Sequence, residues 1–262
     1  MNPIDTVRIT ILFLGFSIAS WQDLKTREID DKIWIAISTI GLLLLAVQIY
    51  FEMNSIILIM ILLSFIFSAG MGILLYQLDL FGGADAKALI ALSIIMPIIP
   101  GEIIQRVYTH PFTPIAVFNN SVIGAASTSI FMVIRNLKEK ISGGKLFEGL
   151  EDENAVKKLL AMITGYRVSI EKLSKGGFNY PIEEIEISEG KVRRRLKIKV
   201  GASSGEENLK KILKLYEEGR IKGRIWVTPA LPMLIFMTIG LAVTFIWGDV
   251  IFKLIFIIML RS

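Results

Sequence analysis

Uninterrupted apolar blocks constrain this 262-residue chain more than any other feature. Runs such as IWIAISTIGLLLLAVQIY and SIILIMILLSFIFSAGMGILLY are too long for a buried strand and carry no charge. A helix needs roughly 20 apolar residues to cross a hydrocarbon layer about 30 Å thick. Blocks of that length predict an all-α polytopic membrane protein. Composition agrees: 53% of the residues are hydrophobic, against about 45–50% dispersed through a soluble domain. About six transmembrane helices are expected, near Ile4–Leu24, Ile33–Phe51, Ile56–Tyr76, Ala86–Pro100, Pro114–Ile134 and Pro229–Trp247, the last fraying toward Leu260. The first block lacks a small-x-small cleavage site before QDLKTREIDDK, so it reads as a span and not as a secretory signal. No internal repeat supports a transporter built from two similar halves.

Lys and Arg set the expected orientation. Lys25, Arg27 and Lys32 follow the first span, Lys87 opens the fourth, and the stretch Arg135–Arg224 holds most of the remaining positive charge. Arg8, Arg106, Lys253 and Arg261 fall on the opposite side. The basic clusters share the cytoplasmic face if both termini lie outside. Three regions follow: a membrane domain over 1–134, a soluble cytoplasmic insert over 135–224, and a C-terminal transmembrane segment over 225–262.

The insert has the pattern of a small α+β domain. IEEIEIS-EG-KVRRRLKIKV reads as a hairpin turning at Glu189–Gly190. That register sets Glu186 opposite Arg193, Glu184 opposite Arg195, and Ile187 opposite Val192. Leu209, Ile212, Leu213 and Tyr216 share a face at helical spacing. Gly143, Gly144, Gly176, Gly177 and Gly201 mark loops. The run RRRLKIK does not point to nucleic acid, because two of its arginines meet glutamates across the strands. Attraction of Lys197 and Lys199 to anionic lipid is the milder explanation.

Two acids are oddly placed. The fourth apolar run spans only about 22 Å at 1.5 Å per residue, so it must recruit residues from its start to cross. That draws Asp85 to the bilayer edge, beside the flexible pair Gly82–Gly83. The first span, with apolar core ITILFLGFSIASW, must likewise extend toward Leu24, which brings Asp23 into its last turn. One span out and one back separate the two acids, so both lie at the same depth. Carboxylates at membrane depth are costly and tend to be functional. A close pair cannot both ionise easily, so one can hold a proton while the other acts as base. No metal or cofactor is required for that chemistry. The chain has no Cys and a single His, His110, which excludes disulfides, Cys-based zinc sites and thiol nucleophiles.

Asp23 within SWQDLKTREID and the motif GGADAK after the third span resemble the two aspartate motifs of archaeal preflagellin and type IV prepilin peptidases, the GxGD-type intramembrane aspartic proteases. The span count, the polar insert before the last span, and WVTPALP at its start are similar too. The resemblance implies a catalytic pair, Asp23 and Asp85, with Gly82, Gly83, Ala84 and Lys87 forming the loop by which substrate approaches. Pro229-Ala230-Leu231 echoes a tripeptide of presenilin-like members and is a candidate substrate contact. Ala84 stands where the family motif carries Gly, and Gly83 supplies flexibility one residue earlier. The bacterial branch often carries a Cys-rich zinc domain and methylates its product; without Cys, nothing here points to methyl transfer. The implied activity is removal of short basic leaders from pilin-like or flagellin precursors at the cytoplasmic face of the cell membrane. The implied partners are those precursors, each with an apolar N-terminal helix.

Simpler readings compete at each position. Asp85 can cap its own helix, and Asp23 can pair with Arg27 one turn on. Lys87 can snorkel, Asp79 reads as a solvated helix end, Asp30 and Asp31 as caps, and His110 as a solvated outer loop residue. The main functional rival is a small proton-coupled transporter using the same acids. A silent scaffold presenting the insert is a third reading.

Overall fold

The computed structural model describes residues 2–51, 54–107, 109–188, 191–197 and 202–261. The chain forms two compact units, one made of residues 1–125 and 232–262, the other of residues 126–231.

The first unit is helical. Helix α1 (Pro3–Lys25) starts with Asn2 accepting a hydrogen bond from the Ile4 N–H at 3.1 Å and with Pro in its first turn, where its missing N–H costs nothing. Helices α2 (Asp31–Phe51) and α3 (Ser55–Gln77) follow. Helix α4 (Gly83–Ile95) has only 13 residues. A short α5 (Gly101–Val107) leads to α6 (Thr113–Ile141), which continues into the second unit. Leu12, Phe16 and Ala19 of α1 pack in one core with Ala88, Leu89 and Leu92 of α4.

Helix length alone does not confirm the expected count of about six spans. Among the described residues, four helices (α1, α2, α3 and α6) are long and apolar enough to cross a membrane. Of the two expected spans outside these four, one is α4. Its apolar run reaches Pro100, but the helix stops at Ile95 because Met96 precedes Pro97 and takes φ −140°, ψ 72°. A proline disfavours the helical region for the residue before it. At about 1.5 Å per residue α4 is about 20 Å long, short of the hydrocarbon thickness.

In the second unit, α7 (Ala155–Thr164), β1 (Tyr166–Ser169) and α8 (Ile170–Ser174) precede β2 (Asn179–Pro181), β3 (Glu183–Ser188), β4 (Lys191–Leu196), α9 (Ala202–Glu217) and β5 (Arg224–Pro229). An antiparallel three-stranded sheet runs β1-β5-β2, and β3-β4 form a separate hairpin. The hairpin register is the expected one, with Glu184 opposite Arg195, Glu186 opposite Arg193 and Ile187 opposite Val192. Its turn at Glu189–Gly190, and Lys199 and Gly201, lie outside the described residues. The strongest pair in the run was not legible from that register. Arg194 grips the fully buried Glu183 with two hydrogen bonds of 2.7 and 2.9 Å, and Glu183 also accepts the Trp226 N–H. Lys197 pairs with Glu184 at 3.4 Å. Ile212, Leu209, Leu213 and Tyr216 of α9 share the hydrophobic core with Val168 and Ile225. Gly143, Gly176 and Gly177 have φ of +83°, +95° and +126° in their loops.

This unit is wider than the stretch 135–224. Its sheet needs β5, and Arg224 pairs with Glu139 at 2.6 Å while Asn136 bonds the Met162 and Gly165 carbonyls. Residues 225–229 are therefore strand, and the final helix begins at Met233, not at Pro229.

Back in the first unit, α10 (Met233–Trp247) and α11 (Val250–Arg261) bend by 46° and count as a fifth span only if taken together. The break falls at Gly248, at φ +82°. The next residue, Asp249, is fully buried and caps α11, accepting from the Phe252 N–H at 3.0 Å and from Asn119 at 2.8 Å. His110 is half-buried beside it, against Phe112 and Phe252, and not a solvated loop residue. Arg8 is buried also, bonded to Gln48 at 2.7 Å.

Candidate active site

Asp23 lies in the last turn of α1 and is 7% exposed. Its Oδ1 faces Arg27 Nη1 at 3.3 Å, the one-turn pair that spacing predicts. Arg27 itself has φ +60°, the turn by which the chain leaves α1 for α2. On the other side, the backbone of Leu234 at the start of α10 approaches the Asp23 carboxyl. Helix α10 is held there by Ser20, whose hydroxyl reaches the Leu234 carbonyl at 3.0 Å and Thr238 Oγ1 at 2.8 Å.

Asp85 is the third residue of α4 and is half-buried. Its Oδ2 accepts the Gly82 N–H at 3.0 Å, so the simple capping reading is also physically present. The corner needs glycine for space: a Cβ on Gly82 would lie 3.2 Å from that same Oδ2. Gly83 and Ala84 are the first two residues of α4, so Ala84 stands inside the helix start where the family motif carries Gly.

The two acids lie within electrostatic reach of each other. Each helix contributes its acid at the end that faces the same side of a shared core, and Asp23 and Arg27 both lie within the electrostatic field of Asp85. Neither ordinary role removes the other. Asp85 caps α4 with one oxygen, and the Asp23 carboxyl meets Arg27 and the Leu234 backbone.

Lys87 is paired with an acid other than Asp85. Its ammonium bonds both oxygens of Asp31 at 2.6 and 2.7 Å, tying α4 to the first residue of α2. Asp30 accepts the Lys32 N–H at 3.0 Å, and Asp79 is an exposed residue past the end of α3. Pro229 ends β5 opposite Asn179, Ala230 donates to the Phe178 carbonyl at 2.8 Å, and Leu231 is exposed, all in the second unit. Among the described residues no group of three or more His, Asp or Glu side chains is placed to hold a metal ion.

Sequence spacing shows Arg27 as a partner of Asp23 but not its reach to Asp85. Leu234 carries no signal at all, since its part is played by backbone and depends on where α10 packs.

Two family profiles match. One, for the type IV leader peptidase family, covers residues 10–129 and therefore both aspartates. The other, described as archaeal peptidase A24 C-terminus type II, covers residues 157–250. A preflagellin peptidase of Methanococcus voltae is 28% identical over 257 residues, 95% of this chain and 98% of its own length. One from Methanococcus maripaludis is 27% identical over 90% of this chain and 93% of its own, and one from Methanocaldococcus jannaschii is 26% identical over 90% and 92%. With its helical half and its C-terminal half both matched, this chain belongs to the type IV leader peptidase family, the peptidase A24 enzymes.

Proposed function

We propose that the chain is a membrane aspartic endopeptidase with Asp23 and Asp85 as its catalytic pair, cutting short leader peptides from preflagellin or type IV prepilin-like precursors. The observation that carries this is that Asp23 at the end of α1 and Asp85 at the start of α4 lie within each other's electrostatic reach. Relatives named preflagellin peptidase, aligned along nearly the whole chain, support the substrate class.

The chemistry follows from two close carboxyls sharing one proton. The ionised carboxylate removes a proton from water as the oxygen attacks the scissile carbonyl. The protonated partner hydrogen-bonds the carbonyl oxygen and takes up part of its developing charge. Collapse of the tetrahedral intermediate breaks the C–N bond, and the proton first taken from water passes to the leaving amine. The pair then shares one proton again. Gly82 lets the α4 corner sit close to a substrate backbone that a side chain would push away. The distribution of Lys and Arg favours an active site and second unit that face the cytoplasm with both termini outside, a topology in which α4 and the irregular chain after it together complete one crossing. No observation favours the transporter reading.

The test uses full-length protein in detergent with a leader-bearing precursor, followed by mass measurement of the product. Asp23→Asn and Asp85→Asn are each expected to lose more than about 1,000-fold in rate while unfolding thermally like wild type. Robust cutting by either variant rejects the pair.

A further inference from the structure

Helix α10 begins without a cap of its own. Pro232 stands at its N-cap position and supplies no side-chain hydrogen bond, although the first N–H groups of a helix have no partner inside it. One of these belongs to Leu234, the second residue of α10, and it is met from another helix. The Leu234 N–H donates to the Asp23 carboxyl in the last turn of α1. That is the amide a capping side chain ordinarily serves. Asp23 therefore caps α10 across the gap between two helices.

Such a bond is only as well aimed as the two helices are fixed, and two hydroxyls fix them one turn away. Ser20 lies three residues before Asp23 and Thr238 four after Leu234, so each shares a helix side with the group it supports. Ser20 is buried, and its hydroxyl reaches the Leu234 carbonyl at 3.0 Å. The Thr238 hydroxyl reaches the Phe16 carbonyl of α1 at 3.2 Å, and the two hydroxyl oxygens are 2.8 Å apart. Each side chain thus meets backbone of the opposite helix. A helical Ser or Thr has no local need of this, because the carbonyl four residues back can satisfy it. Thr238 has that bond as well, to Leu234 at 2.9 Å.

We propose that Ser20 and Thr238 are positioning residues for the cleavage reaction. Their clasp sets the start of α10 so that the Leu234 N–H holds the Asp23 carboxyl in the orientation from which it reacts. This rests on the reading of Asp23 as catalytic. Among the described residues neither hydroxyl is bonded to an aspartate, so both act through Leu234.

The test uses the full-length protein in detergent with a leader-bearing precursor. Ser20→Ala and Thr238→Val, which keeps the shape of threonine, are each expected to lower kcat about 10- to 100-fold, as misplacing a catalytic group does, at an unchanged KM. Thr238→Ser keeps the hydroxyl and is expected to restore most of the rate. Thr244→Val is the control on the same helix. It removes another buried hydroxyl, which accepts from Asn120 at 2.9 Å, and should lower the unfolding midpoint without slowing turnover. Wild-type kcat in both Ser20→Ala and Thr238→Val overturns the proposal. A Thr238→Ser enzyme as slow as Thr238→Val also overturns it, since packing and not the hydroxyl would then matter. Equal slowing by Thr244→Val does the same, by reducing the effect to a general loosening of α10. A raised KM at constant kcat would make the two residues substrate contacts, again against the proposal. The catalytic pair is judged separately. Robust cutting by Asp23→Asn rejects the pair whatever the hydroxyl variants do, whereas an inert Asp23→Asn beside fast hydroxyl variants rejects the clasp alone.

Discussion

Arg27 stands one turn beyond Asp23 and within the field of Asp85, so its guanidinium is positioned to act on both acids. Arg27→Gln is expected to lower turnover between about 10- and 100-fold, as misplacing catalytic groups does, and Arg27→Lys to restore part of it. Equal rates for Arg27→Gln and wild type would make this a surface pair and nothing more. Gly82→Ala puts a methyl 3.2 Å from Asp85 Oδ2, and cleavage is expected to fall with little change in thermal unfolding. Lys87 is the counter-case. Its pair with Asp31 is 48% and 58% exposed, and such pairs contribute about 0–1 kcal/mol; Lys87→Ala should cost no more than that by denaturant unfolding. At this scale the sequence showed both acids and the one-turn pair. It could not show that Lys87 turns toward Asp31, because that choice depends on how α2 and α4 pack.

Elements are brought close by glycine. A Cβ on Gly41 of α2 would fall 2.7 Å from the Ile95 Cα of α4, and one on Gly240 of α10 would fall 2.7 Å from the Val117 carbonyl oxygen of α6. Backbone stands in the way at both places, so no rotamer change can relieve the clash. Gly41→Ala is expected to cost about 1–3 kcal/mol of stability, seen as a lower unfolding midpoint in detergent; an unchanged midpoint would mean that α2 and α4 slide apart freely. Apolar length alone overstates α4, because hydropathy continues to Pro100 while Pro97 ends the helix at Met96. The hairpin register, in contrast, was readable: alternation fixes the pairing once a turn is located.

For the whole molecule, membrane class and the separate insert were legible from apolar length and polar composition, while the limits of the second unit were not. Those limits depend on β5 closing a sheet begun some 60 residues earlier at β1. The proposed sidedness is open to direct measurement, because introduced thiols have no background. In intact cells an impermeant maleimide should reach Glu102→Cys and should reach Ser142→Cys only after the membrane is opened; the reverse pattern would invert the topology.

The abrupt halt of α4 has a further meaning. Beyond Ile95 the backbone is irregular, and its polar groups are met within the protein: Ser64 donates to the Pro97 carbonyl at 2.7 Å, and the Ile99 N–H bonds the Pro111 carbonyl at 2.9 Å. Met96 and Ile99 are both buried there. Non-helical chain survives at such depth only when sealed in this manner. A hydrolase must admit water to the bond it breaks, yet a hole through the bilayer would discharge the ion gradients of the cell. Here the irregular stretch is met by protein groups on both sides, so the shortness of α4 does not by itself open a path for ions.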